Sequence, residues 1–138
     1  MSVITIHTTV AAPVEKVWAF WNTPEHVMQW NAAHESWHCP ASKIDLRPGG
    51  EFHSTMAARD GSVSFDFWGS YDMVVPNQEL RITMGDGRKM SVLYEADGTG
   101  TRVTESFEAE NQNPEEMQRQ GWQSILDNFK RYVEERGA

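Results

Sequence analysis

Residues 113–136 read NPEEMQRQGWQSILDNFKRYVEER. Asn113 stands where an N-cap belongs, Pro114 fills the first helical position and Glu116 the third, a combination that starts helices. Met117, Trp122, Ile125, Leu126, Phe129 and Val133 then recur at helical spacing and form one apolar stripe to about residue 136. Lys130, Arg131 and Arg136 gather near the end, where the helix dipole favours cations. One long amphipathic helix must bury its stripe against something large.

The rest of the chain supplies that partner. Residues 3–10 alternate, with Ile4, Ile6, Thr8 and Val10 on one face and Val3, Thr5, His7 and Thr9 on the other, which is a strand. Pro13 opens a short helix with Val14, Val17, Trp18 and Trp21 on one stripe. Thr23 reads as N-cap of a second short helix that ends near Trp30. Residues 31–42 read as irregular, Lys43–Arg47 as a short strand and Pro48-Gly49-Gly50 as a turn. A meander follows. Phe52, Ser54 and Met56 share a face, as do Val63, Phe65, Phe67, Gly69, Tyr71 and Met73 on a long strand. The sets Leu80, Ile82, Met84; Met90, Val92, Tyr94; and Val103, Glu105, Phe107 complete it, punctuated by Asp60-Gly61, Gly85-Asp86-Gly87 and Asp97-Gly98. The expected fold is α+β, a single domain over residues 1–138. A curved antiparallel seven-stranded sheet wraps the C-terminal helix, and two short helices follow strand 1. Such a sheet diverges from the helix toward one end and tends to leave a cavity there.

Composition narrows the partners. Twelve Lys and Arg against twenty Asp and Glu leave a formal charge of −8, with no basic footprint for nucleic acid or anionic membrane. No apolar run is long enough to span a bilayer, and the N-terminus does not read as a signal peptide, so the cytoplasm is the expected location. The lone Cys39 excludes an intramolecular disulfide. Six Trp, six Phe, three Tyr and seven Met supply either a core of large side chains or a cavity with flat, adaptable walls.

An ordered set of motifs runs through the whole chain: Pro13-x-Glu15-x-Val17-Trp18, Pro24-Glu25 with Trp30, then Trp37, then Asp45-x-Arg47-x-Gly49-Gly50. Asp60-Gly61, Gly69-x-Tyr71, Gly100-Thr101-Arg102-Val103-Thr104 and Gly121-Trp122 continue it. The set resembles the START-like (SRPBCC) superfamily, and most closely the branch named after the C-terminal domain of the heat-shock-protein ATPase activator. The resemblance implies a helix-grip fold with a hydrophobic tunnel. Relatives of this kind include lipid carriers, hormone receptors, polyketide aromatase and cyclase domains, and co-chaperone modules. No shared catalytic motif comes with it. The two-domain co-chaperone has a further N-terminal domain, which 138 residues have no room for.

Glu105 is the most informative single residue, because alternation turns it inward with Val103 and Phe107. A carboxylate there is costly unless paired or protonated. It is either a ligand anchor or acid/base, or a group turned out by a bulge, or a partner of Arg81 or Arg88. Ser54, Tyr71 and Tyr94 also alternate inward, as pocket hydroxyls or as backbone partners. Gly121 inside the helix implies either a close neighbour or space for a ligand. Asp66 and Asp72 read as solvated surface. His34, Glu35, His38 and Cys39 lie in the irregular stretch without metal geometry, so neither a metal nor another cofactor is expected. Phosphate loop, nucleophile elbow and dinucleotide fingerprint are missing.

The leading expectation is a binding module for a small apolar or amphipathic molecule. Its cavity would be lined by Phe52, Met56, Phe65, Phe67, Tyr71, Met84, Tyr94, Phe107, Trp122 and Leu126. Trp18, Trp30 and Trp37 would lie around the helical plug, with Ser54, Glu105 and the two tyrosines orienting the ligand. The alternatives are a cyclase- or dehydratase-like enzyme with Glu105 as acid/base, and a protein-interaction module with Trp68 as its exposed contact and a chaperone as partner. The outer sheet face could also pair two copies.

Overall fold

Alternation along the chain resolves into seven strands. A computed structural model describes residues 2–136. In chain order the elements are β1 (Val3–Val10), α1 (Val14–Asn22), α2 (Pro24–Trp30), β2 (Trp37–Ile44), β3 (Glu51–Ala58), β4 (Ser64–Val75), β5 (Glu79–Met84), β6 (Lys89–Asp97), β7 (Gly100–Glu108) and α3 (Glu115–Glu135). The strands form one curled antiparallel sheet in the order β1-β7-β6-β5-β4-β3-β2. Consecutive strands from β2 to β7 pair with one another, and β1 closes onto β7.

Register carries the inner face across strands. Ile6, Glu105, Val92, Leu80 and Val74 lie side by side over β1, β7, β6, β5 and β4. The neighbouring row is Ile4, Phe107, Met90, Ile82 and Tyr71. Apart from half-buried Val74, all of these are buried.

Both edges of the sheet are covered, which removes a template for strand addition. At the β1 edge the side chains of α3 reach the free backbone groups. Arg119 donates to the Thr5 carbonyl (2.9 Å), Gln123 to that of His7 (3.3 Å) and Lys130 to that of Thr9 (2.6 Å). The Ala11 N–H donates to Glu134 (2.8 Å). At the other edge, α2 packs on β2.

Four local expectations are corrected. Residues 37–42 belong to strand β2 rather than to an irregular stretch, and of Lys43–Arg47 only Lys43 and Ile44 are strand. Pro40 is tolerated because β2 is an edge strand with a register shift between His38 and Ala41. In β4 a bulge falls between Tyr71 and Met73, so alternation inverts: Val74 faces Leu80 and Met73 is exposed. Val63 lies in the turn before β4 and is exposed. Thr23 does not cap α2 with its side chain; its hydroxyl donates to the Ala19 carbonyl (2.7 Å).

The start of α3 also differs. Asn113 gives no side-chain cap; its amide donates to the Glu110 carboxylate. Gln118 holds the turn instead, donating to the carbonyls of Asn113 (2.8 Å) and Glu110 (3.1 Å) and accepting from the Glu110 N–H (2.9 Å). That geometry buries Gln118 and leaves Met117 59% exposed. The buried stripe is therefore Gln118, Leu126, Phe129 and Val133, with Trp122 stacked on Phe107 at 3.8 Å between ring centroids.

A β-carbon built on Gly121 meets nothing within 4 Å, so no neighbouring element explains the glycine. On Gly69 it would lie 2.9 Å from Ile82 Cγ2 and from the Thr83 carbonyl. Gly121→Ala should therefore raise stability by about 1 kcal/mol, and Gly69→Ala should lower it by about 1–3 kcal/mol. Urea denaturation measures both. The opposite signs would contradict the seating of α3 and the β4–β5 register.

Candidate functional site

The helix α3 lies along the β1 side of the sheet and α2 lies over β2, so the middle of the inner face is not covered by either. A partly open cavity of about 290 Å³ occupies that space. This is near the lower end of small-molecule sites, which run from roughly 300 to 1,000 Å³.

Strands β3 and β4 provide one wall: Phe52, Ser54, Met56, Phe65, Phe67 and Tyr71 all border the cavity. Phe65 is 53% exposed and stands at the opening. Leu80, Ile82, Met90 and Glu105 form the floor, and Ile44 adds the end of β2. Trp122 and Ile125 of α3 form the roof. Trp21 and Asn22 of α1, Val27 and Trp30 of α2, and Asn31 close one end. Trp21 and Trp30 each meet Phe129 edge-on at 4.9 Å and each other tilted at 5.1 Å between ring centroids, and the Trp30 indole donates to the Phe20 carbonyl (3.1 Å), so this end is fixed.

Of the residues expected to line the cavity, Trp30, Phe52, Ser54, Met56, Phe65, Phe67, Tyr71, Glu105 and Trp122 face it. Trp37 stands outside, edge-on to Phe65 at 6.1 Å. Met84 is buried beside Gly69 and does not reach the cavity. Phe107 is sealed beneath Trp122, and Tyr94 beneath Trp18 and Trp21. Leu126 is turned into the core one position on from Ile125, a rotation of about 100° on a helix. Leu80, Ile82 and Met90 were already legible as inward-facing, whereas Arg88 was not: it follows an exposed turn, and only the fold brings its long side chain back to the cavity.

The polar groups are few. Ser54 lies 3.4 Å from the Ser42 hydroxyl. Arg88 donates to the Asp86 carboxylate (2.7 Å) and to the Glu108 carbonyl (3.0 Å). Glu105 is 6% exposed and makes no hydrogen bond or ion pair among the described residues. No bulge turns it outward, and neither arginine meets it, since Arg81 pairs with Glu79 (2.6 Å). Burial alone raises its carboxyl to about 8. Burial also raises the Tyr71 phenol, with the Asp45 charge adding to it. The Tyr94 hydroxyl has no hydrogen bond of good geometry; burial and then the charges of Glu105 and Tyr71 push it upward, while the nearby Asn22 amide pulls it down.

The other clusters are ordinary. Cys39 is buried, its thiol donating to the Ala41 carbonyl (3.4 Å) and raised by burial. His34 bonds Ser36 (2.9 Å). Among the described residues no group of three or more His, Cys, Asp or Glu is arranged for a metal. Nor, among the described residues, is any helix long and apolar enough to cross a membrane.

Residues 11–134 match the family described as Activator of Hsp90 ATPase homolog 1-like protein. The solution structure of an AHSA1-like protein from Aeromonas hydrophila is 43% identical, with a TM-score of 0.93 over 99% of this chain and 94% of that one. A protein of Cytophaga hutchinsonii is 50% identical, with a TM-score of 0.83 over 96% of this chain and 92% of that one. A protein of Nitrosomonas europaea, at 22% identity and a TM-score of 0.84 over 97% of this chain and 95% of that one, shares the fold. No curated protein matches the chain.

The buried carboxyl has a consequence for stability. Between its ordinary 4.5 and about 8, folded Glu105 keeps a proton that the unfolded chain releases. Its contribution is full below the lower value and is lost as pH rises through the window, with a slope of up to about 1.4 kcal/mol per pH unit. His53, raised by its bonds to Asp66 and then Glu51, adds a slope of the same sign in any variant. Glu105→Gln should therefore flatten the wild-type profile, with the variant gaining relative stability from about pH 5 to about pH 8.5 in denaturation series. A constant offset at every pH would show that Glu105 is ionised in the folded state.

Proposed function

The chain belongs to the Activator of Hsp90 ATPase homolog 1-like family, of the START-like superfamily, and from that membership and the cavity we propose that it binds a small amphipathic molecule between the sheet and α3. One observation carries the reading: a buried carboxyl with no partner faces a cavity whose other walls are mainly aromatic and aliphatic. A carboxyl that bonds no protein group and opens on such a cavity is the kind of polar group that orients a ligand there. The apolar body would lie against Phe52, Met56, Phe67 and Trp122, with a polar head within reach of Glu105, Ser54 or Tyr71.

The same carboxyl supports a second reading. With a pKa about 8 it can both give and take a proton near neutrality, which suits a general acid/base for a substrate held folded in the cavity. In that case Glu105→Gln would remove turnover while leaving binding largely intact. The family name points to a chaperone partner, and contact would then fall on the outer sheet face. There Trp68 is stacked on His53 at 5.4 Å, and His53 is held by Asp66 (2.8 Å) and Glu51 (2.9 Å). One half-buried ring between charged groups is a small patch for that purpose.

Binding of a neutral apolar dye such as N-phenyl-1-naphthylamine separates the cavity from the outer face. Phe67 borders the cavity and Trp68, next in sequence, lies on the opposite face. Phe67→Ala should weaken dye binding about tenfold, and Trp68→Ala by less than about twofold. Equal losses would refute binding at this cavity.

A further inference from the structure

Among the described residues one carboxyl and one guanidinium border the cavity, and they are not equivalent. Arg88 is already engaged by Asp86 and the Glu108 carbonyl. Glu105 is engaged by nothing among the described residues and is 6% exposed. The cavity walls are rich in aromatic rings, and an aromatic ring attracts a cation placed over its face. The chain as a whole carries −8, which draws cations toward it and repels anions.

We infer that the occupant is an organic cation: an amphipathic amine whose ammonium pairs with Glu105 and whose apolar body lies among Trp21, Trp30, Phe52, Phe67, Tyr71 and Trp122. This rests on the binding reading above and names its ligand class. An anionic head would meet a carboxyl and an arginine that already has partners. A neutral alcohol would accept a hydrogen bond from the protonated carboxyl and leave the attraction of the ring faces for positive charge unused. An ammonium uses both.

The pairing has a proton signature. Glu105, raised by burial to about 8, holds its proton at pH 7, and an ammonium beside it expels that proton. The other titratable groups near it do not titrate there: Tyr71 and Tyr94 are pushed further up from the ordinary phenol range, and Arg88 stays charged.

The test compares 4-phenylbutylamine, 4-phenylbutanol and 4-phenylbutyrate, which share a body and differ in head charge, by calorimetry at pH 7 in buffers of different ionisation enthalpy. The amine should bind at least about tenfold more tightly than either analogue and release about one proton per molecule bound. Glu105→Gln should abolish both the preference and the proton release. An alcohol or acid that binds as well as the amine, or an amine preference that survives Glu105→Gln, overturns the inference. If the neutral dye still binds in that case, only the amine assignment falls. If neither dye nor any of the three compounds binds, the proposed function falls with it.

Discussion

A single helix cannot cover seven strands. At about 4.8 Å per strand the sheet is roughly 30 Å wide, and a helix with its side chains is about 10–12 Å across. Where α3 is seated therefore decides what becomes of the uncovered inner face. Arg119, Gln123, Lys130 and Glu134 answer this by bonding along the free edge of β1, which moves the helix to one side. The Trp122–Phe107 stack sets its depth. α1 and α2 then close one end and cover the β2 edge, and the space left over the middle strands is the cavity. One set of edge contacts thus protects a strand from pairing with another chain and opens the site.

Glu105 belongs to the same row as Ile6, Val92, Leu80 and Val74, a setting in which any aliphatic residue would pack well. A carboxyl there is kept neutral by burial, and the protein carries a polar atom where stability alone would favour a methyl group. Groups of this kind concentrate at sites that do chemistry or hold ligands. Structural carboxyls are usually paired, as Asp86 is with Arg88 and Glu79 with Arg81.

Much of this architecture is legible in the alternation of side chains. The inner faces of β1, β3, β5, β6 and β7, and the inward direction of Glu105, follow from a period of two alone. Three features escape that rule for separate reasons. β2 contains Pro40 and a register shift that break the alternation, which its place at an edge tolerates. The bulge at Asp72 inverts the pattern at Met73 without any residue that announces it. The side-chain cap by Gln118 rotates the start of α3 away from Met117. For the site itself, period tells which residues point inward but not which are then covered by others. Phe107 and Tyr94 point inward as surely as Tyr71, yet Trp122 lies over the first and Trp18 and Trp21 over the second.

The space over the middle strands has one carboxyl, several aromatic rings and a rim at Phe65. Native mass spectrometry of the protein, purified without denaturation and re-exposed to a total small-molecule extract of cells, tests whether that space is for a ligand. The account requires a discrete adduct of a few hundred daltons at one-to-one stoichiometry. A bare mass after every exposure would contradict it and leave the cavity as a gap in the packing.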